Sequence, residues 1–241
     1  MNSARQEPSS VAKEEVARFD ALAARWWDPD GPMRPLHRMN PTRVAWIVRR
    51  IRERFGDAGG QRVLDVGCGA GIASESLAKT GFSVLGIDAS ADLIAAAAAH
   101  AAGQRLDLAY RVAAPEDLLG GVERFDVLTA LEVIEHVVDP DAFLRTLRRL
   151  AGPGALLVIS TLDRSLASLL TAKIGVEYVL RWLPRGTHDW RKFIRPPELA
   201  TALRRAGWRP SRLEGLAFDP VTSSWRIVPR PSVNYIVAAD G

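Results

Sequence analysis

Cysteine is nearly absent: Cys68 stands alone among 241 residues. A lone cysteine cannot close a disulfide within the chain, so nothing implies an oxidising compartment and the expected location is the cytoplasm. Long apolar runs are missing as well. The uncharged stretches at 150–162 and 93–104 hold thirteen and twelve residues, short of the roughly eighteen needed to span a bilayer. The N-terminal run MNSARQEPSSVAKEEVARF has no apolar segment of the kind a secretory signal carries. No internal repeat and no long linker divides the chain, so residues 1–241 read as one domain. Strong charge of one sign is lacking too. A net charge of +4 permits an anionic partner without demanding one. The 47% hydrophobic and 25% charged composition excludes global disorder.

What is present is a regular alternation. Ser9 or Ser10 caps a helix reaching about Trp27, with Val11, Val16, Phe19, Leu22 and Ala23 on one face. Asp28-Pro29-Asp30-Gly31-Pro32 forms a turn, and Pro41 opens a second helix to about Phe55. Strands over 62–66, 83–87, 106–112, 125–131 and 155–160 then alternate with helices over 71–80, 90–102 and 139–150. A helix over 198–206 precedes strands over 209–218 and 226–238, which lie too close together for a helical crossover. They are expected as an antiparallel pair at one sheet edge. The fold class is therefore α/β, Rossmann-like: a seven-stranded, mostly parallel sheet with the last strand antiparallel and helices on both faces. Residues 9–55 are expected to cover the pocket at its carboxyl edge.

Val63-Leu64-Asp65-Val66-Gly67-Cys68-Gly69-Ala70-Gly71 reads as strand, tight glycine loop, helix. The dinucleotide fingerprint spaces its glycines G-x-G-x-x-G. Here the third glycine, Gly71, arrives one residue early. The pattern D-x-G-x-G-x-G resembles motif I of class I S-adenosylmethionine-dependent methyltransferases, which implies Asp65, Gly67, Gly69 and Gly71 at the cofactor. No P-loop lysine follows, as suits a cofactor without phosphate. The next strand ends at Asp88, seventeen residues past Gly71, where an acid can accept both hydroxyls of a ribose. Ala114-Pro115-Glu116-Asp117 follows the third strand, where such methyltransferases line the adenine. That places Pro115 and Glu116 at the cofactor, unless Glu116 and Asp117 simply open a helical turn.

The fourth strand runs into Glu132-Val133-Ile134-Glu135-His136. If the chain turns helical at Glu132, residues 132, 135 and 136 share one face. Such a cluster can hold a hard divalent cation such as Mg²⁺. Alternatively His136 serves as general base for a phenolic proton, or the three form a solvated first helical turn. Further on, an apolar helix over 165–183 carries one narrow polar stripe, Lys173, Glu177 and Arg181. Leu166, Leu169, Leu170, Ile174 and Trp182 occupy its wide apolar face, and Arg181 and Arg185 begin a basic rim. That combination suits an anionic membrane surface, and equally a lid helix or a dimer contact. Residues 162–195 are thus expected as a membrane-facing, substrate-gating insertion.

From about Phe19 to Tyr235 the chain resembles the ubiquinone biosynthesis O-methyltransferases, the UbiG family. The likeness rests on Arg25-Trp26-Trp27-Asp28, Pro35-Leu36-His37-Arg38-Met39-Asn40-Pro41, the run 63–71, Glu132 to His136, Ser160-Thr161-Leu162, Gly186-Thr187-His188-Asp189 and Val233-Asn234-Tyr235. Ala70 departs from a third consecutive glycine in many members, and Leu131 from a frequent methionine. The resemblance implies methyl transfer to ring hydroxyls of a 2-polyprenyl-6-hydroxyphenol and a 3-demethylubiquinol. It carries cofactor contacts onto Arg43, Gly67, Asp88 and Leu131. From eukaryotic relatives it carries a divalent metal onto Glu132, Glu135 and His136. It also implies other ubiquinone biosynthesis enzymes as partners and a cytoplasmic protein on the inner face of the membrane. Two rivals stay open: an O-methyltransferase for another hydrophobic phenol, and a non-catalytic cofactor-binding partner in a biosynthetic complex. Nucleic acid is not an expected partner, because no Asn/Asp-Pro-Pro-Tyr run follows the fourth strand.

Overall fold

The alternation of strands and helices is present in the computed structural model of the chain, which describes residues 10–11, 13–164, 192–219, 221–231 and 233–241. The strands are β1 (Arg62–Val66), β2 (Ser83–Asp88), β3 (Leu108–Val112), β4 (Phe125–Leu131), β5 (Ala151–Leu162), β6 (Arg209–Asp219), β7 (Ser224–Val228) and β8 (Asn234–Asp240). The helices are α1 (Lys13–Asp20), α2 (Arg34–Phe55), α3 (Ile72–Ala78), α4 (Ala91–Ala101), α5 (Pro140–Leu150) and α6 (Pro196–Arg205). One sheet runs in the order β3-β2-β1-β4-β5-β8-β6-β7. The first five strands pair in parallel, while β8 is antiparallel to β5 and β6, and β7 to β6.

Because β2 and β4 lie on opposite sides of β1, the chain reverses its direction of travel across the sheet there. Such a switch leaves a crevice at the strands' carboxyl ends. The loop after β1 opens onto that crevice. Both faces of the sheet are covered. Leu64, Leu128, Leu157 and Ile159 pack with Phe143, Leu144 and Leu147 of α5 and Leu199 and Leu203 of α6. Val63, Val127, Leu156 and Val158 pack with Ile47 and Ile51 of α2 and Leu77 of α3. Successive β5 residues thus alternate between the two cores, the period expected of a strand. Parallel strands buried on both faces account for the nearly continuous apolar runs of β4 and β5.

Three expectations change. Ser9 lies outside the described residues, and Ser10 does not cap α1: its carbonyl accepts from Val138 N at 3.1 Å and its hydroxyl donates to Glu116 Oε2 at 3.2 Å. The first helix is accordingly short, ends at Asp20 and gives way to a 3-10 turn, Ala23–Arg25. Pro41 does not open α2. Pro35 stands in the opening turn, and Pro41 lies inside a helix of 22 residues. The helix continues through Pro41 because Met39, Asn40 and Arg43 around it are buried, and Asn40 Nδ2 donates to Ile72 O at 3.1 Å and Ser76 Oγ at 2.9 Å. The single strand expected over 226–238 is two, β7 and β8, because Pro229 and Pro231 between them offer no ladder N–H. The sheet therefore has eight strands. β8 is buried between β5 and β6, and the antiparallel edge is β6–β7. By contrast Ser90 caps α4, accepting from Leu93 N at 3.0 Å, and Asp139 caps α5, accepting from Ala142 N at 3.0 Å.

Phe143 is 1% exposed in the core between β4, β5 and α5. Phe143→Ala should cost about 3–5 kcal/mol in chemical denaturation, the usual price of a large core cavity. Val122→Ala, at a residue 95% exposed, should change stability by less than about 0.5 kcal/mol.

Candidate active site

The loop after β1 turns on left-handed backbone. Gly69 has φ 55° and Gly71 φ 90°. A Cβ on Gly69 would stand 2.5 Å from Trp26 Cζ2, and one on Gly71 would stand 2.0 Å from the Tyr110 hydroxyl. Conformation and space both demand glycine there. Gly67 shares the positive φ, at 65°. Beneath the loop lies Asp65, fully buried. Its Oδ2 accepts from Ser74 Oγ and its Oδ1 from Thr129 Oγ1, both at 2.6 Å. Burial pushes its pKa up, while the two hydroxyls and the Arg43 charge pull it back. With each oxygen engaged inside the protein, Asp65 sits as an anchor tying β1 to α3 and β4. Its expected place among the cofactor contacts thus comes with a second role, bracing the loop from below.

Asp88 closes the far side of the loop. Its Oδ2 accepts from Gly69 N and its Oδ1 from Ser90 N, both at 2.9 Å. Burial raises its pKa, and the backbone donors of Ser90 and Gly69 oppose that. A carboxylate has about four acceptor positions, so each oxygen keeps one for a further donor. Pro115 is buried at the start of a 3-10 turn, Pro115–Leu118. Asp117 Oδ2 caps that turn by accepting from Ala114 N at 2.9 Å. Glu116 meets Ser10 rather than standing free, and Leu131 is buried at the end of β4.

The acid–histidine run departs from its expected shape. Glu132 takes a left-handed φ of 59°, and only Ile134–His136 forms a 3-10 turn. Ser160 Oγ donates to Glu132 Oε1 at 2.7 Å, and Thr161 Oγ1 donates to Glu135 Oε2 at 2.8 Å. Ser160 and Thr161 are neighbours in β5 and face opposite sides of the sheet. The two carboxylates therefore part instead of converging on one face. Among the described residues no three His, Cys, Asp or Glu side chains are grouped to hold a metal ion. The expected Mg²⁺ ligands do not fit one ion as they stand, because Glu132 and Glu135 are turned to different hydroxyls and are not gathered with His136 around one point. His136 is half-buried, its ring edge-on to Phe19 with centroids 5.5 Å apart.

Arg43 is 4% exposed, in α2 one turn past Met39. Its Nη1 lies 3.9 Å from Glu132 Oε1 and its Nη2 donates to Asn40 Oδ1 at 3.5 Å. Nε and Nη1 have no hydrogen-bond partner. Burial lowers its pKa, and the charges of Glu132 and Asp65 oppose that. A buried guanidinium with unmet donors is costly unless an anion arrives to meet them. Trp27, Asn40, Ser160 and Asn234 belong to this neighbourhood although sequence reasoning assigned them no role. Trp27 Nε1 donates to Ala70 O at 2.9 Å, and the Asn234 amide reaches Met39 Sδ at 3.8 Å with its Oδ1 buried and unpartnered. The runs Arg-Trp-Trp, Asn-Pro, Ser-Thr-Leu and Val-Asn-Tyr were the only signal for them. Leu166, Leu169, Leu170, Ile174, Arg181, Trp182 and Arg185 lie outside the described residues, as does the Gly186–Asp189 run.

Comparison with known proteins follows the same lines. A family profile described as "Methyltransferase domain" matches residues 37–212. Ubiquinone biosynthesis O-methyltransferase from Parvibaculum lavamentivorans is 46% identical over 239 residues, covering 96% of this chain and 94% of the relative. The protein of the same name from Caulobacter vibrioides is 46% identical over 236 residues, covering 95% and 94%. Among solved structures, magnesium protoporphyrin IX methyltransferase from Synechocystis, crystallised with S-adenosylmethionine, aligns at a TM-score of 0.62 and 19% identity over 97% of this chain and 99% of that one. A SAM-dependent methyltransferase from Aquifex aeolicus aligns at 0.62 and 18%, covering 92% and 97%. At those identities the two structures establish the class I methyltransferase fold.

Burial, and then the Glu132 charge, push the Glu135 carboxyl from an ordinary 4.5 up to about 8. The folded chain therefore holds a proton that the unfolded chain releases between those values. Stability from this group is complete below about pH 4.5 and declines as pH rises towards 8. Glu135→Gln keeps an amide for Thr161 and removes the titration. It should raise the melting temperature at pH 8 relative to wild type and leave it little changed at pH 5, as read by calorimetry.

Proposed function

The chain belongs to the ubiquinone biosynthesis O-methyltransferases, and from that membership we propose that its carboxyl-edge crevice methylates a ring hydroxyl of a polyprenylated phenol. It is an S-adenosylmethionine-dependent O-methyltransferase of ubiquinone biosynthesis, with a 2-polyprenyl-6-hydroxyphenol and a 3-demethylubiquinol as its two substrates. The observation that carries the placement of the cofactor is Arg43: a buried guanidinium with unmet donors. Its need for an anion is met by the carboxylate of a methionine moiety. Asp88 takes the ribose hydroxyls on its remaining acceptor positions, and Gly67, Gly69 and Gly71 let the backbone approach. Pro115 and Leu131 give apolar walls for the adenine.

Bound there, S-adenosylmethionine supplies an electrophilic methyl group on a sulfonium. The phenolic oxygen forms the new bond to that methyl carbon, the carbon–sulfur bond breaks, and its electron pair stays on sulfur. The hydroxyl proton leaves to His136. A phenol with pKa about 10 is ionised only to about one part in a thousand at pH 7. A general base held beside it addresses that deficit. Glu132, oriented by Ser160 and faced by Arg43, accepts from the neighbouring ring hydroxyl of the substrate and so sets the direction of the reacting one. No step runs through a metal, because Glu132 and Glu135 are turned to opposite faces of the sheet.

The polyprenyl tail gives the apolar stretch 165–183 its purpose. The Lys173, Glu177 and Arg181 stripe, with Arg185 and Trp182 beside it, suits an anionic leaflet at the cytoplasmic side. No helix among the described residues is long and apolar enough to cross a membrane.

Asp88→Ala should weaken S-adenosylmethionine binding by about 1–3 kcal/mol, measured by calorimetry. His136→Ala should leave that affinity intact and lower turnover of a short-chain demethylubiquinol about 10²–10⁴-fold. A chelator should change neither number. Retained turnover in His136→Ala would remove it as the base. The whole protein should float with anionic liposomes and far less with neutral ones, and added salt should weaken the association. Equal flotation by a variant lacking residues 165–187 would refute the membrane assignment.

A further inference from the structure

Trp27 takes no part in the chemistry above, yet it is tied to the glycine loop at one side and to a buried carboxylate at the other. Its indole N–H donates to the Ala70 carbonyl at 2.9 Å. Its ring lies flat on the His100 imidazole, with centroids 3.4 Å apart and planes 4° from parallel. His100 Nδ1 is in turn 2.6 Å from Glu75 Oε1. Facing a carboxylate, Nδ1 carries the hydrogen. Glu75 lies in α3, the helix the loop feeds into, and is 1% exposed. Gln104 Nε2 donates to its Oε2 at 3.1 Å and Lys79 Nζ lies 3.4 Å away. Gln104 also donates to the His100 carbonyl at 2.9 Å. Burying a carboxylate is unfavourable unless donors converge on it, and here they converge so that one imidazole is held at a fixed angle.

The segment that carries Trp27 touches the loop at several points. Trp26 packs on Gly69, where a Cβ would collide with it. His37 Nε2 meets the Trp26 carbonyl at 2.8 Å. Asn40 donates to the Ile72 carbonyl just past the loop, and Arg43 follows one turn later. Release of Trp27 would leave Ala70 O without this donor and loosen the approach of that segment to the loop. The consequence is felt where the cofactor binds, although neither His100 nor Glu75 belongs to the crevice.

We propose that Glu75 and His100 are positioning residues for the cofactor site and act through Trp27. The carboxylate fixes the imidazole, the imidazole orients the indole, and the indole N–H holds the carbonyl of Ala70 so that the glycine loop keeps its receptive shape. The inference rests on the reading of that loop as the S-adenosylmethionine site.

The test is calorimetric titration of the whole chain with S-adenosylhomocysteine, alongside steady-state kinetics and ligand-free melting. Trp27→Phe keeps an aromatic ring over His100 but loses the N–H and part of the stacked area; His100→Ala removes the plate. Each should weaken S-adenosylhomocysteine about two- to tenfold, the range of one hydrogen bond. Each should raise KM for S-adenosylmethionine with little change in kcat at saturation. In a Trp27→Ala background, His100→Ala should cost nothing further, because residues acting in series are not additive. Wild-type affinity in both single variants overturns the proposal, whether or not ligand-free melting falls. So does a full additional loss from His100→Ala when Trp27 is already gone. A wild-type chain that binds no S-adenosylhomocysteine at all overturns the methyltransferase reading and this inference with it.

Discussion

The carboxylate of Asp65 is the constraint on which the crevice depends. It accepts one hydroxyl from α3, through Ser74, and one from β4, through Thr129, each at 2.6 Å. A buried acid is tolerated only when its lone pairs are met. The two hydroxyls meet them and thereby set the spacing of three elements around the loop that runs between β1 and α3. Asp88 repeats the device at the crevice surface with backbone donors, Gly69 N and Ser90 N. The loop is thus held from below by a side chain and from beside by a side chain. Its glycines are required by left-handed backbone at positions where neighbours leave no room for a Cβ.

The alternation of β5 then sorts the chemistry. Ser160 turns to the α2 side and Thr161 to the other, so Glu132 and Glu135 become residues of different environments. Glu132 shares its side with Arg43 and stays half-exposed, while Glu135 is buried and holds its proton near neutrality. Three residues that look like one metal-binding cluster in sequence are separated by the pleat of a neighbouring strand. In the proposed reaction the proton is handled by one acid and one histidine, Glu132 and His136.

The N-terminal segment is tied to the loops at the sheet's carboxyl edge. Ser10 bonds to Glu116 and Val138, Phe19 meets the His136 ring, and Trp26, Trp27 and Asn40 pin the following stretch to the glycine loop and α3. A methyl transfer that proceeds by nucleophilic displacement gains from excluding water around the reacting groups. These contacts hold the segment against the loop with few residues, and α2 brings the buried Arg43 guanidinium to Glu132.

Much of this was legible in the chain alone. The strand–glycine loop–helix run, Asp88 at the tip of β2 and the start of α4 at Ser90 are local patterns, and local hydrogen bonding and backbone conformation decide them. The alternation of apolar strands and helices determined the parallel sheet, because only a sheet covered on both faces buries such runs. The fate of Pro41, the split of the last strand into β7 and β8 and the placement of β8 inside the sheet required the tertiary structure. So did the parting of Glu132 from Glu135, the anchoring role of Asp65 and the stack of Trp27 on His100. Each of these depends on which side of a distant element a residue faces. Sequence spacing carries the period of an element but not the partner across from it, and it is the partner that decides whether a buried charge is a ligand, an anchor or a base.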